Sequence, residues 1–329
     1  MPDQSLPERQ DGNVPEPAGT ERRLRAATLF LESGRIDDAT SEARRAGQLA
    51  RETGDDAGLA RAENLLGEIA WERGRWEEAS RLFGAAREHA EAGGDSALLL
   101  WIESNDAAVH ADLGLGELAR ESLAAALPRL AFVDDHPQAI RILRNLGRVL
   151  GAADQVAAAD GLLDRAMMIA KRLADTTAGV ALAIERARVA LAHGDVVRAD
   201  AHLGTASALA GRIESGTLRA DTACLEGEVL RIAGRAEAAE RSLLKAIELA
   251  EEAGADAAAA RAWRELGELY AGRAKPADAV RALEAARHGF VALGARARAA
   301  EAARRADEVG VPASSSRPPG AVAAPENRS

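Results

Sequence analysis

The chain has 329 residues, carries a net charge of −10 and contains 79 alanines. Aromatic residues make up only 3% of it, and a chain rich in alanine and poor in aromatic side chains favours helices over strands. The negative charge opposes non-specific attraction to phosphate backbones, so we expect no nucleic-acid partner.

A single cysteine, Cys224, excludes an intramolecular disulfide and a metal site built from several cysteines. No stretch approaches the roughly eighteen consecutive apolar residues of a membrane span, and the beginning of the chain lacks the apolar segment of a secretory signal. We therefore expect no membrane association and a cytoplasmic location.

The sequence repeats with a period of about 40 residues. Two columns of this period, which begin at Ala39 and Ala46, contain alanine at every position. A third column, which begins at Ala27, contains only alanine or glycine, and a fourth, which begins at Gly34, is mostly glycine. Glycine accepts the left-handed conformation that ends a helix, and small side chains let helices approach closely. Each period therefore predicts a helical hairpin.

In chain order, the columns predict a disordered N-terminal tail over residues 1–19 and a solenoid over residues 20–310. The solenoid is divided into seven repeats, at 20–59, 60–99, 100–139, 140–179, 180–219, 220–259 and 260–299. A segment rich in arginine and glutamate, 295–310, predicts a polar capping helix. Residues 311–329 predict a second disordered tail. The predicted fold class is an all-α superhelix of seven hairpins plus a C-terminal capping helix.

These repeats resemble those of the tetratricopeptide family. The seventh repeat contains most of the family signature, in Trp263, Leu266, Gly267, Tyr270, Ala279, Leu283 and Ala286. The second repeat contains the family's turn, Gly74-Arg75-Trp76-Glu77-Glu78-Ala79. The period exceeds the usual length of about 34 residues, as in long-period bacterial variants, so the superhelical pitch is left open.

The resemblance implies a non-catalytic scaffold or adaptor, which binds a peptide or helix of a partner protein in a concave groove lined by the first helix of each repeat. Transferring the family's groove positions, with Trp71 as an additional aromatic anchor, gives Arg61, Asn64, Trp71, Trp101, Asn105, Arg141, Arg144, Arg148 and Arg188. Trp76 and Trp263 are expected in the core. The oligomeric state is left open.

Arginines form one cluster among these positions. The spacing of Arg141, Arg144 and Arg148 places them on one helix face, and Arg188 follows in the next repeat. Guanidinium groups bind carboxylates through two parallel hydrogen bonds, which favours an acidic peptide or a C-terminal carboxylate as the ligand. A charged face whose arginines pair with neighbouring acids explains the same cluster, and the sequence leaves both interpretations open.

No motif for chemistry is present. The chain contains no phosphate-binding Gly-x-x-x-x-Gly-Lys loop, His-Glu-x-x-His helix, Gly-x-Ser-x-Gly turn or cysteine pair. We therefore expect no enzyme, no metal and no cofactor. The alternative function is a regulatory protein that senses a peptide or effector and acts on a separate output protein, and an enzyme with an unrecognised site ranks third.

Overall fold

The computed structural model describes residues 17–32, 35–132 and 137–310, and all regular structure in these ranges is helical. The helices are α1 Pro17–Glu32, α2 Ile36–Thr53, α3 Asp56–Glu72, α4 Trp76–Gly93, α5 Ser96–Leu113, α6 Gly116–Ala126, α7 Pro137–Ala152, α8 Val156–Arg172, α9 Thr176–Ala192, α10 Val196–Ala210, α11 Gly216–Ile232, α12 Ala236–Glu252, α13 Asp256–Gly272, α14 Pro276–Ala292 and α15 Arg296–Gly310. A 3₁₀ helix, Leu127–Phe132, continues α6.

The α-helices pack as consecutive hairpins. Each odd-numbered helix packs against the even-numbered helix that follows it, and the odd-numbered helices also pack against one another from hairpin to hairpin. The last helix, α15, packs on α14 at the end of the stack. The predicted fold class, an all-α solenoid of seven hairpins with a C-terminal capping helix, is therefore confirmed.

Left-handed backbone ends the first helix of the second to seventh hairpins, as the fourth column predicts. Four described glycines of that column have φ between 70° and 79°, and Asp154 and Ala274 adopt the same region with φ of 64° and 53°. Gly34, the first member of the column, lies outside the described residues. The conformation therefore persists where the column lacks glycine, although a side chain makes it more costly.

A second left-handed turn, which the sequence analysis missed, lies midway between those of the fourth column. Gly54 and Gly94 form it between successive hairpins, with φ of 68° at both positions. The next residues, Asp55 and Asp95, accept hydrogen bonds from backbone N–H groups in the first turn of α3 and α5. Glycine therefore ends one helix and aspartate caps the next at both of these turns.

The alanine columns lie in the core, where every member of both columns is buried. The small third column faces a large side chain on the second helix of the same hairpin. A Cβ atom on Gly227 would lie 2.5 Å from Cγ of Leu243, and one on Gly67 would lie 2.5 Å from Cε1 of Phe83. Glycine at these positions therefore allows the two helices to pack at their observed distance. Trp76 is buried in the core, as expected.

The element boundaries differ in two places from those expected. Because α1 begins at Pro17, residues 17–19 of the predicted tail 1–19 are helical. The third hairpin has a short second helix that ends at Ala126, because Pro128 has no backbone N–H to continue the α-helical pattern. Residues 1–16 and 311–329, which make up the rest of the predicted tails, lie outside the described residues. Among the helices that are described, none has the length and apolar character needed to cross a membrane.

Candidate functional site

The odd-numbered helices from α3 to α13 pack side by side, and we call the region that their charged side chains border the lumen. Charged side chains influence one another across it. Burial would raise the pKa of Asp112 on α5, but the guanidinium groups of Arg148 and Arg298 hold that pKa below its ordinary value. Arg261, which belongs to α13, also lowers the pKa of Asp112. Asp112 therefore lies near basic residues from distant parts of the chain, and Arg298 approaches it to 3.9 Å.

Three of the four clustered arginines form ion pairs with neighbouring helices. Arg141 lies 2.7 Å from Oε2 of Glu68 on α3, and Arg148 lies 3.1 Å from Oδ1 of Asp112. Arg188 pairs with Glu185 on its own helix, at 3.0 Å, and lies 3.4 Å from Asp221 on α11. For these three side chains, the interpretation of paired charges, which the sequence left open, describes the observed geometry.

Arg144 is the exception in this cluster. Among the described residues, no carboxylate oxygen lies within ion-pair distance of its guanidinium group, although the side chain is half-buried. Burial lowers the pKa of Arg144, and repulsion from Arg141 and Arg148 lowers it further, against the opposing attraction of nearby acids. Its charge is therefore less well compensated than those of the arginines beside it.

Asp112 joins four parts of the chain. Trp71 on α3 donates a hydrogen bond from Nε1 to Oδ2 of Asp112 at 2.9 Å, and Arg148 on α7 donates to both carboxylate oxygens. Arg298 on the capping helix lies 3.9 Å from Oδ1. Arg148 also stacks over the indole ring of Trp71, with 5.4 Å between its Cζ atom and the ring centroid. Trp71, which was expected to anchor a ligand, therefore contacts Asp112 and Arg148 of this chain instead.

Two other expected groove residues are buried between helices. Asn64 and Asn105 are 0% exposed and form an amide ladder with Asn145, which lies on α7. Asn105 donates to Oδ1 of Asn64 at 3.1 Å and to Oε1 of Glu68 at 2.8 Å, and accepts from Nδ2 of Asn145 at 2.9 Å. The placement of Asn64 and Asn105 on an accessible groove surface is therefore corrected, because close packing of α3, α5 and α7 encloses both amides.

The two remaining expected residues make separate contacts. Arg61 is 43% exposed and lies between Glu21 on α1, at 3.4 Å, and Asp95 before α5, at 3.6 Å. Trp101 is half-buried against the apolar clusters of two hairpins, and its Nε1 finds no hydrogen-bond partner among the described residues. The structure therefore does not bring the nine expected residues together into one surface.

Arg298 is a lumen residue that the sequence analysis assigned only to a polar cap. Burial lowers the pKa of Arg298 to about 10. The carboxylate of Asp112 opposes this shift, whereas the nearby guanidinium groups, including Arg261 and Arg264, lower the pKa further. Cys224 also lies among these charges on α11, where burial raises the pKa of its thiol to about 12. No sequence signal identifies Arg298 as a lumen residue, because its neighbours lie far away along the chain.

A serine, histidine and aspartate cluster connects α4, α5 and α6. Ser80 Oγ lies 3.2 Å from Nε2 of His110, and Ser122 donates to Oδ2 of Asp106 at 3.0 Å. All four side chains project from helix interiors, where backbone N–H groups already donate to carbonyl groups four residues earlier. The side chains pair with one another across neighbouring helices, so we interpret the cluster as a polar contact between hairpins.

The described residues contain no group of three or more histidine, cysteine, aspartate or glutamate side chains arranged to hold a metal ion. No protein-family model and no curated protein sequence matches the chain.

Several solved structures have a similar fold. The Rap conjugation gene regulator of the plasmid pLS20, solved in complex with the Phr* peptide, aligns with a TM-score of 0.65 and 14% identity, over 90% of this chain and 82% of that one. A Rap protein complexed with competence and sporulation factor gives 0.57 and 13%, over 88% and 97%.

A signal transduction ATPase with numerous domains and a tetratricopeptide repeat sensor, from Pyrococcus horikoshii, gives a TM-score of 0.58 and 16% identity. This similarity covers 91% of the present chain but only 44% of the length of the ATPase. At these identities the similarity concerns the fold, and it agrees with the repeat signature: the chain folds as a solenoid of the tetratricopeptide-repeat type.

Proposed function

We propose that the chain is a non-catalytic scaffold that binds a segment of a partner protein in its lumen. The observation that carries this proposal is the state of Arg144. Its neighbours in the cluster have carboxylate partners, whereas Arg144 is half-buried with no carboxylate in ion-pair distance among the described residues. A half-buried guanidinium group whose charge is incompletely compensated favours an anionic ligand, since a ligand carboxylate would supply further negative charge.

The ligand chemistry that fits best is an acidic peptide or the C-terminal carboxylate of a partner. A carboxylate can accept two parallel hydrogen bonds from one guanidinium group, and protein walls around the site strengthen such a contact relative to water. Two structures with a similar fold were solved in complex with competence and sporulation factor and with the Phr* peptide. That precedent supports a peptide ligand for this chain, in a cytoplasmic setting.

Arg144→Gln is the variant that tests this proposal. Substituting Arg141 or Arg148 would remove an ion pair of the buried carboxylate Glu68 or Asp112 and so disturb the fold. Arg144→Gln breaks no ion pair among the described residues. The matched control is Arg281→Gln, because Arg281 is an exposed arginine on α14, with 80% of its side chain accessible.

The measurement is binding to a peptide array of acidic sequences, with each peptide in a free-acid and an amidated form. We expect wild type and Arg281→Gln to bind the same peptides, and Arg144→Gln to lose about tenfold to a hundredfold in affinity, as for a charge-assisted hydrogen bond. If amidation of a peptide abolishes its binding, the group that is bound is the terminal carboxylate. If the amidated and free-acid forms bind equally well, the groups that are bound are acidic side chains. Equal affinity in all three proteins would remove Arg144 from the proposal.

A second candidate function is a regulatory sensor that acts on a separate output protein. The observation that favours it is a contact between the capping helix and the second and third hairpins, through which the two ends of the solenoid meet. If this contact can open, a ligand that prefers the open or the closed state would shift the population between them. Comparing the radius of gyration with and without bound peptide tests this candidate, and an unchanged value would exclude it.

A further inference from the structure

The end of the solenoid packs against turns near its beginning. Leu293, in the turn between α14 and α15, is 3% exposed and lies against Gly74, which ends the first helix of the second hairpin. Ala297, on α15, lies against Gly114 in the equivalent turn of the third hairpin, 3.1 Å from the position that a Cβ atom on Gly114 would occupy. Glycine at both turns leaves the space that the end of the chain fills.

Polar contacts accompany this apolar fit. Nη2 of Arg298 donates a hydrogen bond to the backbone carbonyl of Ala111 at 3.0 Å, close to the end of α5. Arg296 lies 3.3 Å from Oε1 of Glu77 on α4. The pair of Arg296 and Glu77 is exposed and contributes little, so the buried contacts of Leu293 and Arg298 dominate the closure.

The contact is specific to the turns of these two hairpins. Gly194 and Gly234 occupy the same turn position in the fifth and sixth hairpins and have the same left-handed backbone, with φ of 73°. A Cβ atom on either of them would meet nothing within 4 Å. The glycines at 74 and 114 therefore have a neighbour that the repeat pattern alone does not require.

The closing contact also reaches the lumen. Arg298 approaches Asp112, and the same carboxylate accepts hydrogen bonds from Arg148, one helical turn from Arg144. A ligand carboxylate that draws Arg148 away from Asp112 would change the charge that faces Arg298. The capping helix and the arginine cluster are therefore linked through one buried side chain.

We propose that the turn at Leu293 and helix α15 form a latch that closes the solenoid on itself and controls access to the lumen. The closure rests on contacts within this chain alone, whereas control of access also rests on the proposed binding function. An open latch separates α15 from the turns at 74 and 114 and exposes the lumen, and a closed latch restores the contacts described above.

The test places asparagine at the two turns, because asparagine tolerates positive φ better than other residues with a side chain. In the latch variant, Gly74→Asn with Gly114→Asn, the new side chains occupy the space of Leu293 and Ala297. The matched control is Gly194→Asn with Gly234→Asn, which makes the same change at the same backbone conformation without a neighbour.

Small-angle X-ray scattering and amide hydrogen exchange measure the closure. We expect the latch variant to keep the helical content of the control but to have a larger radius of gyration, and its α15 amides to exchange about tenfold faster or more. Equal radii and equal exchange in the two variants would overturn the latch.

Affinity for a labelled oligoglutamate peptide separates the latch from the binding function. If the open state is a minor state of the wild type, the latch variant should bind the peptide about tenfold more tightly than the control. Equal affinity in an expanded latch variant would overturn control of access. No binding to either protein, with expansion still observed, would count against the binding proposal and leave the closure supported.

Discussion

Asn105→Ala tests whether the amide ladder is part of the core or part of a binding surface. The side chain of Asn105 is fully buried and makes hydrogen bonds to three other buried groups, on α3 and α7. Removing it leaves the amide of Asn145 without its acceptor, and Asn64 and Glu68 without their shared donor. The perturbation therefore affects three hairpins through one residue.

The magnitude follows from these three orphaned groups. A buried polar group that loses its hydrogen bond costs about 1–3 kcal/mol, and the groups share partners, so the costs do not add fully. We expect Asn105→Ala to lower the free energy of unfolding by about 3–5 kcal/mol. Ser104→Ala is the matched control, because Ser104 is equally buried but donates only to the carbonyl of Trp101 on its own helix. Its cost should be about 1 kcal/mol.

Urea unfolding followed by far-ultraviolet circular dichroism measures both variants, and urea leaves the ion pairs of the lumen unscreened. A sloping or stepwise transition in Asn105→Ala would show that the ladder couples neighbouring hairpins, as expected for an array with nearest-neighbour interactions. If Asn105→Ala is no less stable than Ser104→Ala, and instead loses peptide binding, the ladder is a binding surface and the reasoning fails.

Three further predictions concern packing and charge. Gly227→Ala should lower the free energy of unfolding by about 1–3 kcal/mol, because the new methyl group overpacks against Leu243. Gly161→Ala, at an exposed helical site with no neighbour, should raise it by about 0.5–1 kcal/mol, and thermal unfolding compares the two variants. Ala79→Leu should cost about 1–3 kcal/mol, and wild-type stability would contradict the register of the hairpins. Burial and a neighbouring glutamate raise the pKa of Glu228 to about 7. The contribution of Glu228 to the free energy of unfolding is therefore fully present below pH 4.5 and is lost as the pH rises through about 7, by at most roughly 1.4 kcal/mol per pH unit. Glu228→Gln should remove this dependence in unfolding measured at several pH values.

The fold could be predicted because its determinants are local and repeated. The alanine at 79, the glycine at 74 and the large residue at 83 recur at one spacing, and each repetition strengthens the same inference. The turn between hairpins was missed although its signal is present: Gly54 and Gly94 are each followed by an aspartate that caps the next helix. A column in which two residue types share one structural role is harder to recognise than a column of a single residue.

The candidate site was less accessible to sequence reasoning, because it depends on how the superhelix curves. The spacing of Arg141, Arg144 and Arg148 places them on one face, but the carboxylate partners of Arg141 and Arg148 come from other hairpins. Nothing local distinguishes Arg144, which has no such partner among the described residues. Asn105 illustrates the opposite error, since a position that faces a groove in an open solenoid is enclosed here by the helices on each side. Arg298 reaches its acceptor from a position 187 residues away.

The third column has a consequence for the shape of the whole chain. It contains glycine in some hairpins and alanine in others, so hairpins such as those of Gly147 and Ala187 differ by one methyl group at the point where their two helices meet. In a stack of repeats, small rotations add along the axis. The distance between Leu293 and Gly74 is thus the accumulated result of every hairpin between them. One methyl group added to this column, far from either residue, would therefore shift the position at which Leu293 meets Gly74. The curvature of the chain thus accumulates from the small residues of this column.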